Sequence, residues 1–207
     1  MRITAGAKER TRARILDGAA RLFREQGFEA TSTRDLARQA EIAVGTLFNY
    51  YPTKEALGLT LLGDALQRAE AEWRKRRRSG ASLEEELFGH IAAGLRELRG
   101  DRRFLGELLD TALSPFPSTP SGTDPHLREG LRSRHLSTVN EILGDAGHDT
   151  GASAVTMHLY WTLYLGVLGF FASDDSPNQE DSLVFLDQAL HAFVATLTRQ
   201  ESSEVQP

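Results

Sequence analysis

Gly27-Phe28-Glu29-Ala30-Thr31-Ser32-Thr33-Arg34-Asp35-Leu36-Ala37, followed by Ala43-Val44-Gly45-Thr46-Leu47-Phe48-Asn49-Tyr50-Tyr51-Pro52-Thr53-Lys54-Glu55-Ala56-Leu57, is the stretch of this 207-residue chain that decides its fold. Gly27 stops a helix, because glycine takes the left-handed conformation past a helix end without a Cβ clash. Thr31, Ser32 and Thr33 are hydroxyl residues able to cap exposed N–H groups, and they predict a short helix over 31–40. Glu41-Ile42-Ala43 connects it to a second short helix over 44–51, which Pro52 ends because proline cannot continue the hydrogen-bond ladder. Two short helices on a tight turn are a helix-turn-helix.

Outward from this hairpin the pattern stays helical. Upstream, Ile15, Ala19, Leu22 and Phe23 share one face of a helix over 8–26. Downstream, Thr53 caps a long helix carrying Leu57, Leu61, Leu62 and Leu66 and reaching Trp73. The charge run Lys75 to Arg78 reads as its solvated C-terminus and receives no function here. Helical periods recur over 83–98, 104–113, 127–143, 153–173 and 181–199, while period-2 alternation is absent. The expectation is an all-α fold of about nine helices: an N-terminal three-helix helix-turn-helix domain at 1–53, a larger helical domain at 54–200 and a disordered tail at 201–207. Four prolines within 114–125 predict a loop, read either as a lid or as a plain surface linker.

Composition excludes several classes. There is no cysteine, hence no disulfide, thiolate metal site or cysteine nucleophile. The six histidines are scattered, so no metal site is expected, and no cofactor. Gly-x-Ser-x-Gly, His-Glu-x-x-His and a phosphate-cradling Gly-rich loop are all missing, so an enzyme is not expected. The charged N-terminus is followed by no apolar h-region, which points away from secretion and toward the cytoplasm. The apolar stretch 154–172 is long enough for a bilayer, but His158, two threonines, two glycines and the absence of a basic flank favour a core or interface helix, with no membrane partner. The net charge of −5 hides an asymmetry: residues 1–78 carry +6 and residues 79–207 carry −11. A basic head on an acidic body is expected where only one part approaches phosphates.

The second short helix is built to enter a DNA groove about 12 Å wide, which requires small residues where the backbone comes close. Val44, Gly45 and Thr46 supply them, and Gly45 is otherwise a costly choice inside a helix by about 1 kcal/mol. Thr46 can bond a base edge or phosphate, and Val44 can touch a thymine methyl. Asn49 and Tyr50 offer polar groups outward, while Leu47 and Tyr51 face the domain. Thr33 and Arg34 at the start of the first short helix, and Lys54 at the start of the long one, suit the phosphate backbone. A hairpin used for packing alone does not explain these exposed polar groups or the local charge. The quoted stretch resembles the DNA-binding domain of the TetR family without a gap over about residues 10–60. Phe48 departs from that family's usual tyrosine and loses a hydroxyl contact, which puts the operator sequence, not binding, in question. An N-terminal arm of Arg2, Lys8 and Arg10 adds either a further DNA contact or a solvated terminus.

One short helix reads only a few base pairs, so useful affinity requires two copies on double-stranded operator DNA. A homodimer is expected, with Leu159, Leu163, Gly166, Val167 and Phe170 of one helix and Leu186, Leu190, Phe193 and Leu197 of the next at its interface; packing within the monomer is the competing account. The resemblance implies a repressor released by a small apolar or aromatic effector among the middle helices. Candidate ligand contacts are Trp73, His90, Phe104, Phe116, His158, Trp161 and Tyr164, each of which could equally be core. A constitutive regulator whose body only dimerises is the other reading.

Overall fold

A computed structural model describes residues 5–78, 80–109, 113, 125–148 and 154–204. They form nine α-helices and no strand: α1 (Ala5–Gln26), α2 (Thr33–Gln39), α3 (Val44–Tyr50), α4 (Lys54–Arg76), α5 (Leu83–Glu97), α6 (Arg102–Leu108), α7 (Pro125–Asp145), α8 (Ala154–Ser173) and α9 (Glu180–Glu204). The fold is all-α, as the periodicity requires. Helix α9 runs four residues into the segment expected to be a tail. Most of the proline-rich segment, with Phe116, and residues 205–207 lie outside the described residues.

Two compact units emerge, one of residues Met1–Asp64 and Gly100–Arg128, the other of Ala65–Arg99 and Glu129–Pro207. The first therefore takes in the start of α4 and all of α6, beyond the expected boundary at residue 53. An aromatic core explains it. Phe23 of α1 stacks on Phe104 of α6 with centroids 5.1 Å apart, and meets Phe28 edge-on at the same distance. All three rings are buried, and each contributes about 1.5–3 kcal/mol of apolar burial. Gly58 of α4 lets this core close, because a Cβ there would stand 3.0–3.2 Å from Leu108, Phe104 and Phe28. Glu107 also accepts the backbone N–H of Glu29 at 2.7 Å, and Arg24 pairs with Asp101.

In the second unit α9 packs on both α5 and α8. Helix α8 is long and apolar enough to cross a membrane, the one such helix among the described residues, yet it buries Thr156, Met157, Tyr160, Tyr164, Leu165, Val167, Leu168 and Phe171 within this unit. Asp174 folds the α8–α9 turn by accepting the backbone N–H groups of Ser176 (2.8 Å) and Ser182 (2.9 Å). Burial pushes its carboxyl up, but these hydrogen bonds prevail and hold it well below the usual carboxylate range.

Candidate nucleic-acid interface and ring cluster

Helix α2 begins with a capping box centred on Ser32: its hydroxyl accepts the Asp35 N–H, and the Asp35 carboxylate accepts the Ser32 N–H. Thr31, a flanking hydroxyl, is instead buried and donates to the Gly27 carbonyl at 2.7 Å. The hydrogen bonds from Ser32 keep the Asp35 carboxyl below its ordinary value. The turn to α3 closes with the Ile42 N–H on the Ala37 carbonyl and Glu41 in the left-handed region at φ 53°.

Leu47 and Tyr51 anchor α3 and its end, at 3% and 7% exposure. Tyr51 lies beneath the Arg12 guanidinium, 6.0 Å from its ring centroid. The other side of α3 is open. Gly45, Phe48 and Asn49 are exposed, with Phe48 at 45%, while Val44, Thr46 and Tyr50 are half-buried. A Cβ on Gly45 would meet nothing within 4 Å, so no packing inside the protein requires glycine there. Arg34 is exposed and Thr33 half-buried at the start of α2.

Lys54 is placed differently from its sequence expectation. Its Nζ donates to the Phe28 carbonyl at 2.7 Å and the Glu29 carbonyl at 3.3 Å, and lies 4.4 Å from the centroid of the Phe28 ring. The ammonium satisfies the carbonyls that follow α1, so it clamps the α1–α2 turn rather than standing free for phosphate.

The sequence profile of the bacterial regulatory proteins of the tetR family matches residues 15–59, the span that holds this geometry. Residues 15–59 carry the DNA-binding domain of the TetR family. It is 25% identical over 174 residues to the HTH-type transcriptional regulator UidR of Escherichia coli K12, covering 80% of this chain and 83% of UidR. Over 66 residues, 32% of each chain, it is 38% identical to the HTH-type transcriptional repressor KstR of Mycolicibacterium smegmatis. The crystal structure of FadR from Thermus thermophilus, a TetR-family repressor solved with lauroyl-CoA, shares the fold with a TM-score of 0.68 and 23% identity over 88% of this chain and 93% of FadR. The chain is a DNA-binding transcriptional regulator of the TetR type.

Of the ligand candidates in this TetR-type chain, Trp73, His90, Trp161 and Tyr164 come together in the second unit. Two residues that sequence reasoning missed join them. His135 of α7 stacks on Tyr164 at 3.9 Å and on His90 at 5.0 Å, and its Nε2 is 3.1 Å from the Tyr160 hydroxyl. Trp73 packs on His90 at 4.9 Å, and Trp161 lies 6.0 Å from His135. Both ring nitrogens of His90 are buried without a partner. Burial pushes the His90 imidazole down to about 4 and holds that of His135 well below its ordinary value, so both are neutral near pH 7. His135 was hidden because the residues before it, Arg132, Ser133 and Arg134, are all polar; Tyr160 already stood in an apolar stretch and was legible.

Phe104 and His158 do not belong to this cluster. Phe104 is core of the first unit, stacked on Phe23, and His158 is exposed on α8. The interface assignment needs the same correction. Val167, Leu186, Leu190, Phe193 and Leu197 are buried in the second unit's own core, between 0% and 6% exposed. Leu159, Gly166 and Phe170 are exposed and Leu163 is half-buried, together with exposed Val155, Val184 and Phe185 that the periodic reading passed over. A residue filling its own core and one facing a twin share the same helical spacing, so spacing alone could not separate them.

Proposed function

We propose that this chain is a cytoplasmic homodimeric repressor that reads operator DNA with α3 and leaves it when a small apolar or aromatic effector binds. The observation that carries the DNA reading is the open side of α3: a glycine that internal packing does not require, beside an exposed phenyl ring and an exposed amide. Gly45 allows the helix backbone to approach base edges, and Thr46 and Asn49 supply hydrogen bonds there. Val44 and Phe48 suit thymine methyl groups, and Arg34, Thr33 and Tyr50 the phosphates.

Dimerisation uses the apolar residues that α8 and α9 leave outside the core: Val155, Leu159, Leu163 and Phe170 with Val184 and Phe185. Phe170 and Phe185 already stack at 5.0 Å. Gly166 and Gly169, both exposed, permit a second copy to come close. A twofold pairing of such helices is a four-helix bundle, and two recognition helices then serve two half-sites.

The ring cluster supports an effector. Two unpaired buried nitrogens cost about 1–3 kcal/mol each, and a neutral imidazole offers one donor and one acceptor to a ligand that pairs with them. FadR, solved with lauroyl-CoA, provides a ligand-bearing body of the same fold. Here Trp73, Tyr160, Trp161 and Tyr164 around the two histidines favour a planar or compact apolar molecule.

Gly45→Leu tests the central claim. The side chain meets nothing in the protein, so the melting temperature should hold or rise, while binding to fragments selected from the host genome should be lost. Full binding by a folded Gly45→Leu protein removes α3 from the interface.

A further inference from the structure

Three phenylalanines are exposed among the described residues, and two of them cover each other: Phe170 and Phe185 stack at 5.0 Å. Phe48 stands at 45% exposure with no ring or cation packed on it among the described residues. A ring left in water stabilises nothing in the isolated chain, because an apolar surface is favoured only where it is buried. Its neighbours on α3 show where burial can come from. Val44, four residues before it, is half-buried, and Gly45, three before it, is exposed with room for a Cβ that meets nothing within 4 Å. Residues three and four apart share one side of a helix, so α3 presents a valine, a bare patch of backbone and a phenyl ring in one short strip.

The ring differs from the polar groups beside it. Thr46, Asn49 and Tyr50 can hydrogen-bond, whereas Phe48 has neither donor nor acceptor. In the major groove guanine shows two acceptors, cytosine an amino donor, adenine an acceptor and a donor, and thymine an acceptor beside its C5-methyl group. A phenyl ring set against the polar atoms strips them of water and gives no hydrogen bond in return. Set against the methyl, it buries two apolar surfaces at once. 5-Methylcytosine carries its methyl on the same carbon, facing the same groove, while unmodified cytosine offers only a hydrogen there.

We propose that Phe48 reads pyrimidine C5-methyl groups, so that operator affinity depends on the methyl of one thymine in each half-site and rises when a cytosine at that position is methylated. The inference rests on the reading of α3 as the DNA-contacting helix and adds a regulatory input to it: methylation of the operator tightens binding with base pairing unchanged. Burying one methyl-sized group is worth about fourfold in affinity, hence about fifteenfold for the two half-sites of a dimer.

The test uses the full chain and an operator selected from random duplexes. Thymines are replaced by deoxyuridine in symmetric pairs, which removes methyl groups and leaves every hydrogen-bonding atom in place. One such pair should lower affinity about fifteenfold, and the same replacement should change binding by Phe48→Ala less than twofold. With C·G at that pair, 5-methylcytosine should bind about fifteenfold more tightly than cytosine, again only in the presence of Phe48. A melting transition confirms that Phe48→Ala is folded, so that a lost preference is not a lost fold. The absence of any sensitive pair, or a sensitivity that survives in Phe48→Ala, would overturn the proposal. Gly45→Leu separates the two claims: if it abolishes binding while deoxyuridine costs nothing at any pair, α3 stands and the methyl reading falls; if it binds fully, both fall.

Discussion

Helices α3 and α8 both hold apolar surface out to solvent, and they differ in what surrounds it. On α3 the exposed Phe48 sits between a glycine and an asparagine on a helix of seven residues, in the part of the chain that is net positive. On α8 a helix of twenty residues carries no Asp, Glu, Lys or Arg; it buries Tyr160, Tyr164, Val167 and Phe171 on one side and still shows Val155 at 73% and Leu159 at 47% on the other. The first surface suits a hydrated, charged polymer read one base edge at a time. The second suits another apolar surface of the same kind, because only burial repays a continuous stripe of exposed side chains. What is left outside after a helix has filled its own core is the better guide to its partner.

The largest effect is expected where that contrast is reversed. Phe170→Glu places an unpaired charge in the proposed twin surface, a cost of about 3–5 kcal/mol, so sedimentation should show the dimer's dissociation constant raised by about two to four orders of magnitude. A Phe170→Glu protein that stays dimeric would take α8 out of the interface. Next is acid. The folded pKa of His90 lies at about 4, below the unfolded value near 6.5, so its contribution is complete above pH 6.5 and is lost as pH falls toward 4. The loss approaches about 3 kcal/mol, and His135 acts in the same direction. Melting temperature should therefore drop between pH 6.5 and 4, and His90→Leu should flatten that drop; an unchanged profile in the variant would mean that the buried imidazole is not its source.

Why one helix was legible and the other was not follows from the same contrast. The residues of α3 break packing rules locally: Gly45 inside a helix and Asn49 beside aromatic residues make no sense for a core, and Leu47 and Tyr51 four apart reveal the inward side. Pro52 and the hydroxyls before α2 set the boundaries to within a residue or two. In α8 and α9 every position obeys the rules. Leu186, Leu190, Phe193 and Leu197 recur at three and four as an interface stripe would, yet they belong to the core, and the truly exposed Val184 and Phe185 stand just before them. Long-range placement was likewise silent. Nothing near Phe104 in sequence says that it stacks on Phe23, 81 positions earlier, nor that His135 lies among rings from two other helices.

Smaller effects separate the two kinds of cation in the first unit. Lys54→Met removes the donor that satisfies the Phe28 and Glu29 carbonyls and should cost about 1–3 kcal/mol of stability, visible by calorimetry, with the salt dependence of DNA binding unchanged. If stability holds and the salt slope falls instead, Lys54 leaves the turn and binds phosphate. Arg34 is the opposite case: exposed at the start of α2, with no hydrogen bond or ion pair among the described residues, it is free to displace a counterion. Each phosphate neutralised contributes about 0.9 to the slope of log affinity against log salt, so Arg34→Gln, which removes one contact from each half-site, should lower the slope of the dimer by about 1.8. Stability should not move, and the preferred sequence should remain, because phosphates carry no base information. A slope that stays put would confine the phosphate contacts to α3 itself, and a changed preferred sequence would mean that Arg34 reaches a base.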